Sequence, residues 1–150
     1  MRNRVASAVD RVNRLFAAMK ISTGCPLQWK ACPQAAMDHG WSARQFAHAG
    51  HRGAGVICFA IEAANLKLTD GEILGIVLHE AGHVIAELRK LPAHQALAVT
   101  SGPTPAAVQA EADLVIRELL GLPIVYTART VESVDPAAFK ELEARHIRTP

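Results

Sequence analysis

Thr69-Asp-Gly-Glu-Ile-Leu-Gly-Ile-Val-Leu-His-Glu-Ala-Gly-His-Val-Ile-Ala-Glu-Leu88 is the stretch on which the reading of this chain turns. Thr69 can cap a helix, and Glu72, three residues on, completes a capping box. Ile73, Ile76, Val77, Val84, Ile85 and Leu88 then supply apolar residues at helical spacing, and Pro92 stops the helix. Gly82 sits in its interior, where glycine costs about 1 kcal/mol relative to alanine. Such a residue implies that another element approaches the backbone closely at that point.

Inside this helix, His79-Glu80-Ala81-Gly82-His83 is an H-E-x-x-H pattern. Residues four apart share a helix face, so the two imidazoles can hold one ion. Neutral imidazole nitrogens suit zinc at about 2.0–2.1 Å, and a catalytic zinc takes three protein ligands with a fourth position open. Glu80 is rotated from His79 by about 100°, close to the ion without binding it, as a general base requires. Zinc would acidify a water and polarise a carbonyl, so the reaction implied is amide hydrolysis.

A third ligand is expected from the next helix. Thr104 as N-cap, Pro105 at the first position, Gly121 at the C-terminus and Pro123 beyond it set limits near 105 and 120. Glu111 falls in line with Val108, Ala112, Val115 and Leu119, an apolar stripe that faces the core. A carboxylate there needs a compensating charge, which a zinc ion would provide. Glu111 is therefore the expected third ligand, with Glu118 as an outside alternative. Asp113 lies about 200° round the helix from Glu111, facing solvent or holding a group behind the ligands. Tyr126, the only tyrosine, and His94 are candidates for stabilising an oxyanion.

Working outward, Val5, Val9, Val12, Leu15, Phe16 and Met19 recur at helical spacing among Arg2, Arg4, Arg11, Arg14 and Lys20. This is an amphipathic helix docked on the core with its arginines in water, the less favoured alternative being a membrane-surface or partner-binding helix. Gly24, Pro26 and Pro33 mark a connector, followed by a short helix or turn region to His48. Residues 55–61 (Gly-Val-Ile-Cys-Phe-Ala-Ile) read as a strand. Residues 96–100 are a short strand or a loop, 124–127 look extended, and Asp135-Pro136 opens a polar helix ending near His146. His39, His48 and His51 read as solvated loop residues, and Trp29, Trp41, Phe46 and Phe59 as core.

With 150 residues, half of them hydrophobic and a fifth charged, the chain is expected to form one α+β domain. Within it, 1–50 would be an N-terminal helical region, 51–130 the catalytic core and 131–150 a C-terminal helix. A net charge of +2 is far from that of a dedicated nucleic-acid binder. No apolar run reaches the ~18–20 residues of a membrane span, and no secretory apolar region opens the chain. A cytoplasmic location is expected. Cys25, Cys32 and Cys58 show no metal-knuckle spacing and read as reduced thiols, a Cys25–Cys32 bridge being the alternative.

On these residues the chain resembles the zincins, and within them the small ImmA/IrrE-type metallopeptidases. The resemblance covers the strand at 55–61, the His79–His83 motif and Glu111-Ala112-Asp113, which starts 28 positions after His83. Ala86 and Glu87 stand where that family often has Leu-His, and Ala86 and Arg89 fail the extended metzincin pattern. The resemblance implies a minimal zincin-like domain, with the active-site helix packed on a small sheet and a second helix carrying a ligand. It further implies zinc held by His79, His83 and Glu111, Glu80 as base, and a protein or peptide substrate. The competing expectation is a catalytically silent zincin-fold module, structural or binding, in a phage particle or a regulatory complex.

Overall fold

The computed structural model describes residues 2–32, 47–49, 56–60, 67–96, 105–128 and 130–147. Its order is α1 (Arg2–Met19), β1 (Gln28–Cys32), β2 (Ala47–Ala49), β3 (Val56–Ala60), α2 (Asp70–Leu88), α3 (Pro92–Gln95), α4 (Ala106–Leu120), β4 (Val125–Tyr126), β5 (Glu132–Ser133) and α5 (Pro136–His146). This is an α+β fold. In the first sheet β3 is central, parallel to β1 and antiparallel to β2; β4 and β5 form a separate antiparallel ribbon.

The architecture is built around α2. Fifteen of its residues are buried, from Gly71 to Ala86, as befits a helix apolar on nearly every side. Its N-terminus is the capping box read from sequence: Thr69 Oγ1 accepts from the Glu72 N–H at 3.1 Å, and Glu72 Oε1 accepts from the Thr69 N–H at 2.9 Å. Helices α1, α4 and α5, the ribbon and strand β2 all pack on α2.

Helix α1 buries Val5, Ala8, Val9, Val12, Leu15 and Phe16 against this core, while Arg4 and Arg14 face solvent. Its apolar face is thus consumed inside the molecule. Arg11 donates from Nε and Nη2 to the Glu143 carboxylate at 3.1 and 2.5 Å and lies over the Phe139 ring, tying α1 to α5. No helix among the described residues is long and apolar enough to cross a membrane.

Several local expectations hold. Gly121 ends α4 in the left-handed conformation at φ 65, and Asp135 caps α5 by accepting from the Ala137 N–H. Pro92 stops α2 but also opens the short helix α3. The N-terminal third is not only helical, since it contains β1 and β2. Cys25 is free and exposed, so the Cys25–Cys32 bridge is not formed. Trp29 packs partly buried against the core. Trp41, Phe46, His39, His51, Thr104 and residues 97–100 lie outside the described residues, as do the side chains of His48 and Phe59.

Candidate metal centre

Three glycines set how closely α2 meets its neighbours. A Cβ on Gly71 would lie 2.7 Å from the Val134 carbonyl oxygen, one on Gly75 would lie 2.5 Å from Ser133 backbone, and one on Gly82 would lie 2.3 Å from the Ala112 carbonyl oxygen. The first two bring the β5 strand onto α2. The third fixes α4, with Ala112 at the centre of the contact. Around that centre, Gln109 and Asp113 stand about 60° and 100° to one side and Glu111 about 100° to the other.

This register decides which side chains reach the histidines. His79 is 1% exposed, and its Nε2 lies 3.1 Å from Nε2 of His83, with the rings edge to face. Donor atoms of His79, Glu80 and His83 all lie within 4.8 Å of one another, so the His-Glu-His group is compatible with a bound metal ion. Gln109 Oε1 lies 2.6 Å from His79 Nε2 and 2.8 Å from His83 Nε2. The Glu132 carboxylate, on β5 directly opposite Tyr126, comes to 3.9 Å from His79 Nε2.

Behind the pair, each imidazole is held by its other nitrogen. His79 Nδ1 meets Asp113 Oδ1 at 2.5 Å, and the Tyr126 hydroxyl donates to Asp113 Oδ2 at 2.8 Å. His83 Nδ1 meets His94 Nε2 at 2.8 Å, and His94 Nδ1 meets Glu111 Oε1 at 2.6 Å. The carboxylates fix the tautomers, since an ionised carboxylate only accepts. Glu111 takes the His94 Nδ1–H, leaving His94 Nε2 to accept from His83 Nδ1–H. Asp113 likewise takes the His79 Nδ1–H. Both Nε2 atoms therefore turn inward toward each other.

The electrostatics favour a cation at that point. Burial works against a charged His79, but the Asp113 hydrogen bond and the charges of Glu80, Glu132 and Asp113 outweigh it and raise its pKa to about 9. His83 moves the opposite way, to about 3, through burial and the neighbouring His79 and His94, with the Gln109 contact opposing. Burial also raises Glu132 above the usual carboxylate range, against the attraction of His79. In the metal-free protein the proton thus resides on His79 and not on His83.

Set against the sequence, the structure brings together His79, Glu80 and His83, and it places His94 one hydrogen bond behind them and Tyr126 two, through Asp113. The expectation that Glu111 completes the donor set is not met. Its Oε2 accepts from the Ala93 N–H and its Oε1 from the His94 N–H, each at 2.9 Å, so it caps α3 and holds His94. Burial raises its pKa, yet these hydrogen bonds prevail and hold it below the usual carboxylate range. The reason is the register at Ala112, which turns Glu111 to the flank away from the inward nitrogens. Asp113, on the opposite flank, anchors His79, and Glu118 is exposed.

Sequence reasoning passed over Gln109 and Glu132. The i, i+4 spacing of Gln109 and Asp113 was the available signal for the first. No family model matches the chain, and no curated protein or solved structure matches it either.

Proposed function

We propose that this chain is a zinc-dependent metallopeptidase that hydrolyses a peptide bond of a protein or peptide substrate. The observation that carries this reading is the pair of inward Nε2 atoms at 3.1 Å, each imidazole locked by a partner on Nδ1. Two neutral imidazoles bound to one tetrahedral zinc would place those nitrogens about 3.3 Å apart. Structural core histidines have no need of that convergence, whereas carboxylate-anchored imidazoles are the usual outer arrangement of a metal site.

Zinc held by His79 and His83 would supply the Lewis acidity that amide hydrolysis at neutral pH requires. The chain's own residues do the rest. Glu80, buried and beside the pair, accepts a proton from the attacking water and returns it to the leaving amine. Asp113 and the His94–Glu111 couple hold the Nδ1 hydrogens, which would leave both Nε2 atoms to bind the ion. Tyr126 is half exposed at the edge of the site, where its hydroxyl holds Asp113 and can turn toward developing negative charge.

The test is cleavage of a mixed peptide library by purified protein, read by mass spectrometry. Wild type is expected to cut, and Glu80→Gln is expected to bind zinc normally without cutting. Cleavage by Glu80→Gln at the wild-type rate rules out the mechanism, and zinc binding without cleavage by wild type favours a silent binding module.

A further inference from the structure

We propose that Gln109 is the third metal ligand, giving a site of two imidazoles and one neutral amide oxygen. The inference rests on the metal reading above and specifies its donor set. His79 Nε2, His83 Nε2 and Gln109 Oε1 form a triangle with sides of 2.6, 2.8 and 3.1 Å. With the Nδ1 hydrogens taken by Asp113 and His94, all three corners face the centre, and each offers a lone pair to a metal ion once the proton on His79 is displaced. In the metal-free protein the proton on His79 holds the three together, and a metal ion would take its place among the same atoms. A tetrahedral face set by bonds of about 2.0–2.1 Å has edges of about 3.3 Å, so the His79–His83 side of 3.1 Å already fits, and the two Gln109 sides of 2.6 and 2.8 Å would lengthen by about half an ångström on binding.

The other oxygens nearby fit less well. Both Glu111 oxygens are engaged with α3, one histidine removed from the centre. Glu132 stands at 3.9 Å from His79 Nε2, longer than any side of the triangle. Glu80 has its carboxylate within 4.8 Å of the histidine nitrogens, but it follows His79 directly, is rotated by about 100° around the helix axis, and is the base of the proposed reaction. Gln109 is placed by the same contact that buries Gly82 against Ala112, so its position is a consequence of helix packing.

A neutral donor has a chemical consequence. With two imidazoles and an amide, no ligand would cancel the charge of the ion, which would make it a stronger Lewis acid toward the substrate carbonyl than one held by a carboxylate. The balancing carboxylates, Glu80 and Glu132, sit beside the donor set. Substituting glutamate at 109 would add an anionic ligand, strengthening metal binding while weakening the Lewis acid.

The experiment titrates metal-free full-length protein with Zn2+ against a chromophoric chelator and records the visible spectrum of the Co2+ form. Gln109→Ala is expected to bind Zn2+ weaker by about 10–100-fold or more, with unchanged helical circular dichroism. Gln109→Glu is expected to bind at least as tightly as wild type and to shift the Co2+ bands, which report the donor atoms. Glu132→Gln is expected to leave those bands in place. Wild-type affinity in Gln109→Ala, an unshifted Co2+ spectrum in Gln109→Glu, or loss of the Co2+ signature in Glu132→Gln would each overturn the assignment. His79→Ala separates the two levels. If it loses Zn2+ while Gln109→Ala does not, only the Gln109 assignment falls; if it binds like wild type, the metal site falls as well. Should Gln109→Ala fail to fold, the Gln109→Glu spectrum decides alone.

Discussion

The carbonyl oxygen of Ala112 lies 2.3 Å from where a Cβ on Gly82 would stand. That approach brings α4 against the histidine-bearing helix, and with it Gln109 and Asp113. Alanine at 82 would gain up to about 1 kcal/mol of helix propensity. It would also drive a methyl group into backbone that has no rotamer to escape by, at a cost of about 1–3 kcal/mol or more. The clash wins. Gly82→Ala should lower the urea midpoint and weaken metal binding together, as the two helices separate. Unchanged stability with intact metal binding would show that the contact is slack.

Two relays hold the imidazoles, and they should differ in strength. Asp113 is a direct, charged partner of His79, whereas Glu111 acts on His83 through His94. Asp113→Ala should weaken metal binding by about 10–100-fold, with Tyr126→Phe costing less because it removes only the support of Asp113. Glu111→Gln should cost less than Asp113→Ala, while keeping about one ion per chain. Titration of the three variants against a metal indicator ranks them, and a larger loss at Glu111 than at Asp113 would return Glu111 to the donor set.

The two histidines set opposite pH limits on the metal-free protein. The folded pKa of His79, about 9, exceeds the ordinary value of about 6.5, so its contribution is complete below 6.5 and is lost as pH rises through 9. The folded pKa of His83, about 3, lies below 6.5, so its contribution is complete above 6.5 and is lost as pH falls toward 3. Urea midpoints measured in chelator should therefore peak near neutrality and fall on both sides. The alkaline fall should vanish in His79→Ala.

Metal binding must also displace the proton held on His79. Zinc affinity should rise with pH up to about 9, with release of about one proton per ion near pH 7–8. Calorimetry in buffers of different ionisation enthalpy measures that proton. No release at pH 7 would mean that His79 is already neutral in the metal-free protein.

Much of the fold was legible because its signals are local. The capping box at Thr69 and Glu72, the stop at Gly121 and the cap at Asp135 depend on residues within one turn, and each stands as read. The ribbon was only half legible. Its turn closes through Thr127 and Val131, with Thr130 taking φ 58 where glycine or asparagine would normally advertise a hairpin. Hence residues 124–127 read as extended, but Glu132 was not seen to return beside them. Strand β1 was hidden by Pro26 and Pro33, which read as punctuation on either side of a five-residue strand.

The candidate site divides along the same line. His79, Glu80 and His83 lie within one helix, so spacing alone assembles them. The groups around them come from α3, α4 and the ribbon, and their choice depends on a helix–helix register. Glu111 and Asp113 are two residues apart, and the apolar stripe at Val108, Ala112 and Val115 does not say which flank meets the histidines. Charge favoured Glu111 as a ligand; packing at Gly82 turned it toward α3 and left a neutral glutamine at the centre.

Metal content of the purified chain, by mass spectrometry of the ion beside His79→Ala prepared identically, bears most directly on the shared centre. About one zinc per wild-type chain, absent from the variant, is the predicted result. A wild type free of stoichiometric metal after exposure to zinc, or a variant that carries as much, would contradict it.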